Sequence, residues 1–355
     1  MNVIHKSYEE IVSLDNIIKA WDGFKRGKTG KLDVITFERY LEDNIFGLHQ
    51  ELISQTYQHD PYYTFHIMDP KPRMISKATV KDRLVHHVVF QYLYNIFEPT
   101  FIYHSYACRS NKGTHLAVQN LSYCLRRVSL NYTGPAYVLK CDVRKFFQSV
   151  NHQKLLQIIK RKIKDDKLLW LIANIINSFH TPVDKIVEGG GCLKEINSGM
   201  GLPIGNLTSQ IFANIYLNEL DQYIKQRLRV KNYFRYADDF IIVHDELEYL
   251  RELLLPIQDF LNDNLRLELH SGKVGIRRLS QGIDYLGYVV LPYHTVLRTR
   301  TKRRMFKKLA IKQSLLLAGK IDCQGFNQSV QSYLGMLHHC DGYELGLLVK
   351  NDFLR

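Results

Sequence analysis

Phe234-Arg235-Tyr236-Ala237-Asp238-Asp239-Phe240-Ile241-Ile242-Val243 decides how the rest of the chain is read. Aromatic and aliphatic runs flank a short acidic centre, which is the pattern of a β-hairpin whose turn presents two adjacent carboxylates. Holding two like charges between buried strands costs several kcal/mol of desolvation and repulsion unless a cation compensates. A hard, oxygen-only pair points to Mg²⁺, which suits carboxylate and phosphate oxygens. The tetrapeptide alone reads equally as a solvated turn in an ordinary hairpin. Its weight depends on a third carboxylate and a nucleotide site elsewhere in the chain.

The third acid stands in Ala136-Tyr137-Val138-Leu139-Lys140-Cys141-Asp142-Val143-Arg144-Lys145-Phe146-Phe147. This reads as a buried strand ending in Asp142, followed by a helix over 152–163 with Asn151 as its N-cap. An Asp at a strand end beside the acidic hairpin would complete a two-metal cluster, with the Val143 carbonyl as a further oxygen. Upstream, Tyr62–Met68 and Arg73–Ser76 read as strands joined at Asp69-Pro70-Lys71-Pro72. Lys71 and Arg73 near that tip are either cations for a triphosphate or solvated surface charges. A helix over 80–97 buries Leu84, Val85, Val88, Val89, Tyr92, Leu93 and Ile96, and Pro99 closes it. The basic loop Ser105–His115 then runs into a helix starting near Thr114, where Arg109 and Lys112 join loop amides in a candidate anion site.

Further on, a helix over 166–180 precedes Glu188-Gly189-Gly190-Gly191 and the segment Gly199-Met200-Gly201-Leu202-Pro203-Ile204-Gly205-Asn206-Leu207-Thr208-Ser209-Gln210. Its glycines let the backbone approach a base pair, and a helix follows over 206–228. Past the acidic hairpin the pattern gives a helix over 246–263 and a strand over 265–270, followed by Ser271-Gly272-Lys273-Val274. From Arg298 a basic helix carries Arg300, Lys302, Arg303, Arg304, Lys307 and Lys308, placed to lie along a duplex backbone. Helical spacing also covers 7–26 and 33–56.

Composition agrees with a polyanionic partner. The 355 residues carry a formal charge of +13 and are 45% hydrophobic, enough for a globular chain of two or three subdomains. The first thirty residues do not resemble a signal peptide and no run of 18 apolar residues occurs, so a cytoplasmic protein without a membrane partner is expected. The six cysteines form no Cys-x-x-Cys pair and suggest neither zinc nor disulfides. Cys340 beside His338 and His339 reads as a structural helix-end cluster.

Tyr-x-Asp-Asp in this setting resembles the catalytic hairpin of reverse transcriptases, and Asp142-x-x-x-Phe146-Phe147 is similar to the family's palm motif. Lys71-Pro72-Arg73, Lys81-Asp82-Arg83 and the Tyr106-x-x-Arg109 loop resemble the first two fingers motifs of bacterial members. Ile283–Val290 resembles the primer-grip strand, with Tyr285 in place of Phe. The resemblance covers roughly residues 60–295. Where most members read Gln-Gly-x-x-x-Ser-Pro, this chain reads Ile204-Gly205-Asn206-Leu207-Thr208-Ser209-Gln210, a pattern similar to reverse transcriptases of diversity-generating retroelements.

That resemblance implies an α+β, right-hand polymerase. Its expected parts are an N-terminal helical extension (1–60), fingers (61–135), a palm (136–295, with a finger-like helical insertion at 166–200) and a short helical thumb (296–355). It implies two Mg²⁺ ions, with Mn²⁺ as a substitute, held by Asp142, Val143, Asp238 and Asp239. Phe147 would exclude a ribose 2′-OH, and Ile204 and Gly205 would sit against the new base pair. Lys71, Arg73, Arg109 and Lys273 would contact the nucleotide, Lys273 as general acid or phosphate clamp. The implied partners are template RNA, a DNA or cDNA primer, dNTPs and a separate basic accessory protein, in a bacterial or phage setting. The alternatives are a group II intron-derived or retron-type enzyme, against which the absence of a maturase-like segment is read, and a non-catalytic RNA-binding scaffold.

Overall fold

Local sequence rules account for most of the elements in the computed structural model, which describes residues 7–68, 71–186, 192–197 and 199–354. Thr79, Asn151 and Asp165 each cap the helix that follows with a side-chain oxygen, over Val80–Phe97, His152–Lys160 and Asp166–Asn177. Asp69, Pro70 and the Glu188–Gly191 stretch lie outside the described residues.

The chain divides into two units. The first comprises Met1–Tyr103, Val143–Arg229 and Pro256–His270. Its centre is the Val80–Phe97 helix, packed between Leu14–Lys25 and Leu207–Gln222. Leu84, Val85, Val89 and Leu93 have no exposure there. Two antiparallel hairpins complete the unit, Tyr63–Ile67 with Arg73–Lys77 and Thr181–Ile186 with Cys192–Asn197. The second hairpin was not legible in the apolar pattern.

The second unit comprises His104–Asp142, Val230–Leu255 and Ser271–Arg355. A four-stranded antiparallel sheet runs in the order Tyr233–Tyr236, Asp239–His244, Tyr137–Asp142, Gly275–Arg278. A three-stranded sheet of Ile283–Tyr285, Tyr288–Val290 and Thr295–Leu297 lies in the same unit. One core joins strands of the four-stranded sheet (Val138, Ile241, Val243), the Thr114–Val128 helix (Leu121, Leu125) and the C-terminal helices (Met305, Leu309, Val330, Leu334). Both units are mixed helix and antiparallel sheet, the fold class expected.

Five expectations need correction. The N-terminal stretches form four helices, Tyr8–Ile11, Leu14–Lys25, Leu32–Arg39 and Leu41–Ile53, because Ser13 caps a new helix and Tyr40 leaves helical dihedrals. The expected helix over 206–228 passes into a π turn at Tyr223–Arg227. The expected helix over 246–263 splits into Leu247–Glu252 and Leu254–Leu265. Pro256 has no N–H to give the carbonyl one turn back, so the ladder breaks there. Residues 265–270 form no strand: Arg266 takes a φ of 52° and Leu267 N donates to Leu261 O at 2.9 Å, closing the preceding helix. The expected strand over 283–290 is a hairpin turning at Leu286 and Gly287, with φ of 49° and 95°.

Candidate active site

The second unit's sheet assembles the acids by register. Asp142, last in its strand, lies directly opposite Asp239, first in the next, while Tyr236 flanks Asp239 on its other side. Asp238 shares the tight turn with Ala237, which takes a left-handed φ of 53°. Arg235, fully buried, donates from Nη1 to the Ala237 carbonyl at 3.2 Å and so holds that turn. The edge of the Arg235 strand is closed by a parallel bridge to Ser105.

Two lysines attend the carboxylates. Lys273 Nζ donates to Asp142 Oδ1 at 2.8 Å. Lys140 Nζ lies 3.4 Å from Asp239 Oδ2 and donates to the Asp284 carbonyl at 3.2 Å. Asp239 Oδ1 is buried without a hydrogen-bond partner. Burial raises the Asp238 carboxyl above its usual range; its own amide opposes this, and Asp142 and Asp239 push it further up. Burial likewise raises Asp239, with Lys140 opposing and Asp142 adding to the rise.

Among the described residues, no three His, Cys, Asp or Glu side chains already stand as ligands around one point. The donors nonetheless fit a hard divalent cation. They are all oxygens, one of them is buried and unsatisfied, and the charges now answering them are two movable ammonium groups.

Sequence reasoning missed Lys140 and Arg235, and noted Tyr285 only as a departure from the family's Phe. Lys140 was within reach of it, since residues two apart in a strand share a face and Asp142 was already singled out. The buried cation at Arg235 had no such signal. Tyr285, where the family pattern has Phe, carries a buried hydroxyl without a hydrogen-bond partner. Its ionisation is pushed far up by burial and then by Asp239.

The remaining candidates are distributed as follows. Arg109, in the second unit, donates from Nη1 to Ser105 O at 2.8 Å. Lys71 and Arg73 are exposed in the first unit. There Phe146, not Phe147, is the core aromatic: Phe146 is 1% exposed, whereas Phe147 is half-buried and meets it edge-on at 5.3 Å. Val143 is buried and bridges to Leu269. Ile204 accepts at its carbonyl from Ser76 N at 3.0 Å. Asn206 does not cap its helix; its Oδ1 accepts from Ala78 N at 3.3 Å and its Nδ2 donates to Ser76 O at 2.7 Å, tying the Ile204 loop to the Arg73–Lys77 strand. The neighbour that Gly205 approaches is Ile75, whose Cγ2 would lie 2.8 Å from an added Cβ. Arg300, Lys302, Arg303, Arg304, Lys307 and Lys308 are exposed on the Thr299–Leu317 helix, while Met305 and Leu309 are buried.

A strand-end carboxylate set by register against a two-carboxylate hairpin is an arrangement compatible with metal-assisted nucleotidyl transfer. The reverse transcriptase (RNA-dependent DNA polymerase) family model matches residues 68–290, and the chain belongs to that family: it is an RNA-directed DNA polymerase. Protein YkfC of Escherichia coli is 25% identical over 292 residues, covering 72% of this chain and 71% of that protein. The group II intron-encoded protein LtrA of Lactococcus lactis is 24% identical over 321 residues, covering 71% of this chain. The match spans 50% of the length of LtrA. Among solved structures, apo telomerase from Candida tropicalis truncated from its C-terminal domain aligns with a TM-score of 0.49 at 13% identity, over 70% of this chain and 59% of that one. Among the described residues no helix is long and apolar enough to cross a membrane.

Proposed function

We propose that this chain copies a template-repeat RNA into cDNA for a diversity-generating retroelement, with errors concentrated at template adenines. The observation that carries the catalytic part is the register placing Asp142 against Asp239 beside Asp238. Asp142, Asp238 and Asp239, with the Val143 carbonyl, would hold two divalent ions, Mg²⁺ or Mn²⁺. When bound, these supply charge neutralisation for a primer 3′-oxygen and for pyrophosphate. Lys273, which donates to Asp142, is the cation available to steady or protonate the leaving group. Phe147 limits the sugar to deoxyribose, and Lys71, Arg73 and Arg109 serve the triphosphate. Primer extension on an RNA template with dNTPs and Mg²⁺ tests the reaction, and absence of any extension would reject it.

The finer reading rests on Ile204, an aliphatic residue in a loop pinned to Ser76. Gln there could donate and accept where Ile cannot. Restoring one polar check is worth about 1–3 kcal/mol, or roughly 5- to 150-fold in discrimination. Ile204→Gln is expected to lower misincorporation at template adenines by about tenfold in sequenced cDNA, with other template bases changed less. An unchanged adenine error rate sinks the assignment.

The exposed basic helix Thr299–Leu317 is the proposed duplex-backbone contact. Arg303→Ala with Lys307→Ala is expected to weaken primer–template binding in a sequence-independent way and to flatten the log–log salt dependence by about 2. Binding whose salt slope is unchanged would make these charges a solvated face. A basic accessory protein would supply the remaining grip on the template.

Similarity to LtrA favours a second reading, a group II intron-derived reverse transcriptase. Stimulation of intron splicing by the purified protein would select that reading over the first.

A further inference from the structure

A second cavity on the unit that carries the acids uses none of the residues assigned above. It has a volume of about 550 Å³ and is lined by His115, Arg126, Tyr132, Tyr293, His338 and His339, with the exposed Tyr123 also on its wall. No acidic side chain lines it.

Two of its aromatic walls stand on unusual backbone. Leu130, Asn131 and Tyr132 take consecutive left-handed φ values of 50°, 60° and 71°, and Tyr293 takes 69°. Bulky residues rarely adopt that region and persist there only where the surroundings over-determine them. Here they are held: Asn131 N donates to Arg126 O at 2.8 Å, Tyr132 N to Ser129 Oγ at 3.0 Å and Gly134 N to Ser129 O at 2.9 Å. Arg126 is fixed from the same loop, donating from Nε to Asn131 Oδ1 at 2.7 Å. The two tyrosine rings meet at 4.6 Å with planes inclined by 60°. Yet Tyr293 is 76% exposed, so burial of its ring does not repay the strain.

The histidines give the cavity a second flat wall. His115 stacks on His339 at 3.7 Å with planes 15° apart. The Tyr288 hydroxyl gives its one proton to Met336 O, so His115 donates to it from Nδ1.

We infer that this cavity binds an unpaired nucleotide of a single strand, its base against the tyrosine and histidine rings and its phosphate at Arg126. Flat rings stack on any base, a guanidinium suits a phosphate, and no carboxylate lines the cavity itself. The inference does not depend on which RNA the enzyme copies.

The test uses the full chain with a primer–template duplex already bound and a labelled 5-iodouridine RNA hexamer as probe. Photocrosslinking should mark Tyr132 or Tyr293. Tyr293→Ala should weaken hexamer binding about tenfold, Tyr293→Phe should stay within about twofold of wild type, and extension of the annealed primer should be unchanged in both. Tyr123→Ala, at a second exposed ring, should also weaken hexamer binding. A DNA hexamer and uridine monophosphate identify the source: binding of RNA alone or of both hexamers supports a strand, and monophosphate binding as tightly as the hexamer supports a free nucleotide. Wild-type hexamer affinity in both Tyr293→Ala and Tyr123→Ala overturns the site, and primer extension remains a separate readout of the polymerase reading.

Discussion

Asp238→Asn is expected to lower DNA synthesis on an RNA template by several powers of ten, leave RNA binding largely intact and raise the melting temperature of the metal-free protein. The first effect follows from removing a carboxylate that would help to hold the divalent ions. The rise in melting temperature follows from the sign of its proton equilibrium. Folding raises the Asp238 carboxyl through burial and through Asp142 and Asp239. Well below the ordinary aspartate value of about 3.9, the folded and unfolded chains both hold the proton and the group contributes nothing. As pH rises from there through the raised folded value, the unfolded chain releases its proton first, so stability falls, and above that value the whole penalty is present. Asn carries no such penalty. At pH 7 in chelator the variant should be more stable than wild type, and the difference should shrink towards pH 4. Added divalent ions should reverse the order, because only wild type binds them strongly. Retained synthesis in Asp238→Asn, or a variant that melts below wild type in chelator at pH 7, would refute this account of the acidic turn.

What the sequence disclosed follows the range of the forces involved. Asp142, Asp238 and Asp239 stood out in the sequence because Asp142 ends and Asp239 begins a buried apolar strand, with Asp238 in the turn just before the second. The helix at Val80–Phe97 was legible to its last residue because Thr79 caps it and its apolar stripe is unbroken. Lys273 was singled out from its loop, but the contact of Lys140 with Asp239 was not, since it depends on register between strands almost a hundred residues apart in sequence. Nor was the Thr181–Ile186 hairpin with Cys192–Asn197, whose residues show no clean alternation. An Asn before a helix ordinarily caps it, but at Asn206 a tertiary demand from Ser76 and Ala78 takes both ends of the amide. The glycines of the same segment were assigned to a close approach by a base pair, whereas inside the first unit Gly201 and Gly205 already approach protein atoms.

Gly201→Ala makes that last point measurable, with Gly199→Ala as its control. Gly199 has a φ of 83° with nothing within 4 Å of an added Cβ, so alanine there should cost only its backbone conformation, about 1 kcal/mol. Gly201 has a φ of 103°, and its Cβ would fall 1.9 Å from Thr181 Oγ1 and 3.2 Å from Phe179 Cε1. Thr181 cannot easily yield, being 7% exposed and donating from Oγ1 to Gln148 O at 3.1 Å. The backbone cannot easily yield either: Gly201 N donates to Val150 O at 2.8 Å, Leu202 N donates to Phe147 O at 2.6 Å, and His152 Nε2 meets Gly201 O at 2.7 Å. Strain and overpacking together should cost roughly 3–5 kcal/mol in urea unfolding. Because the same hydrogen bonds fix Phe147 relative to the Ile204 loop, synthesis should fall even at temperatures where the variant stays folded. Thr181→Ala removes the nearest clashing atom, so combining it with Gly201→Ala should recover more than about 1 kcal/mol relative to the sum of the single changes. Strict additivity would mean that the positive φ alone, and not the approach of Thr181, requires glycine at this position.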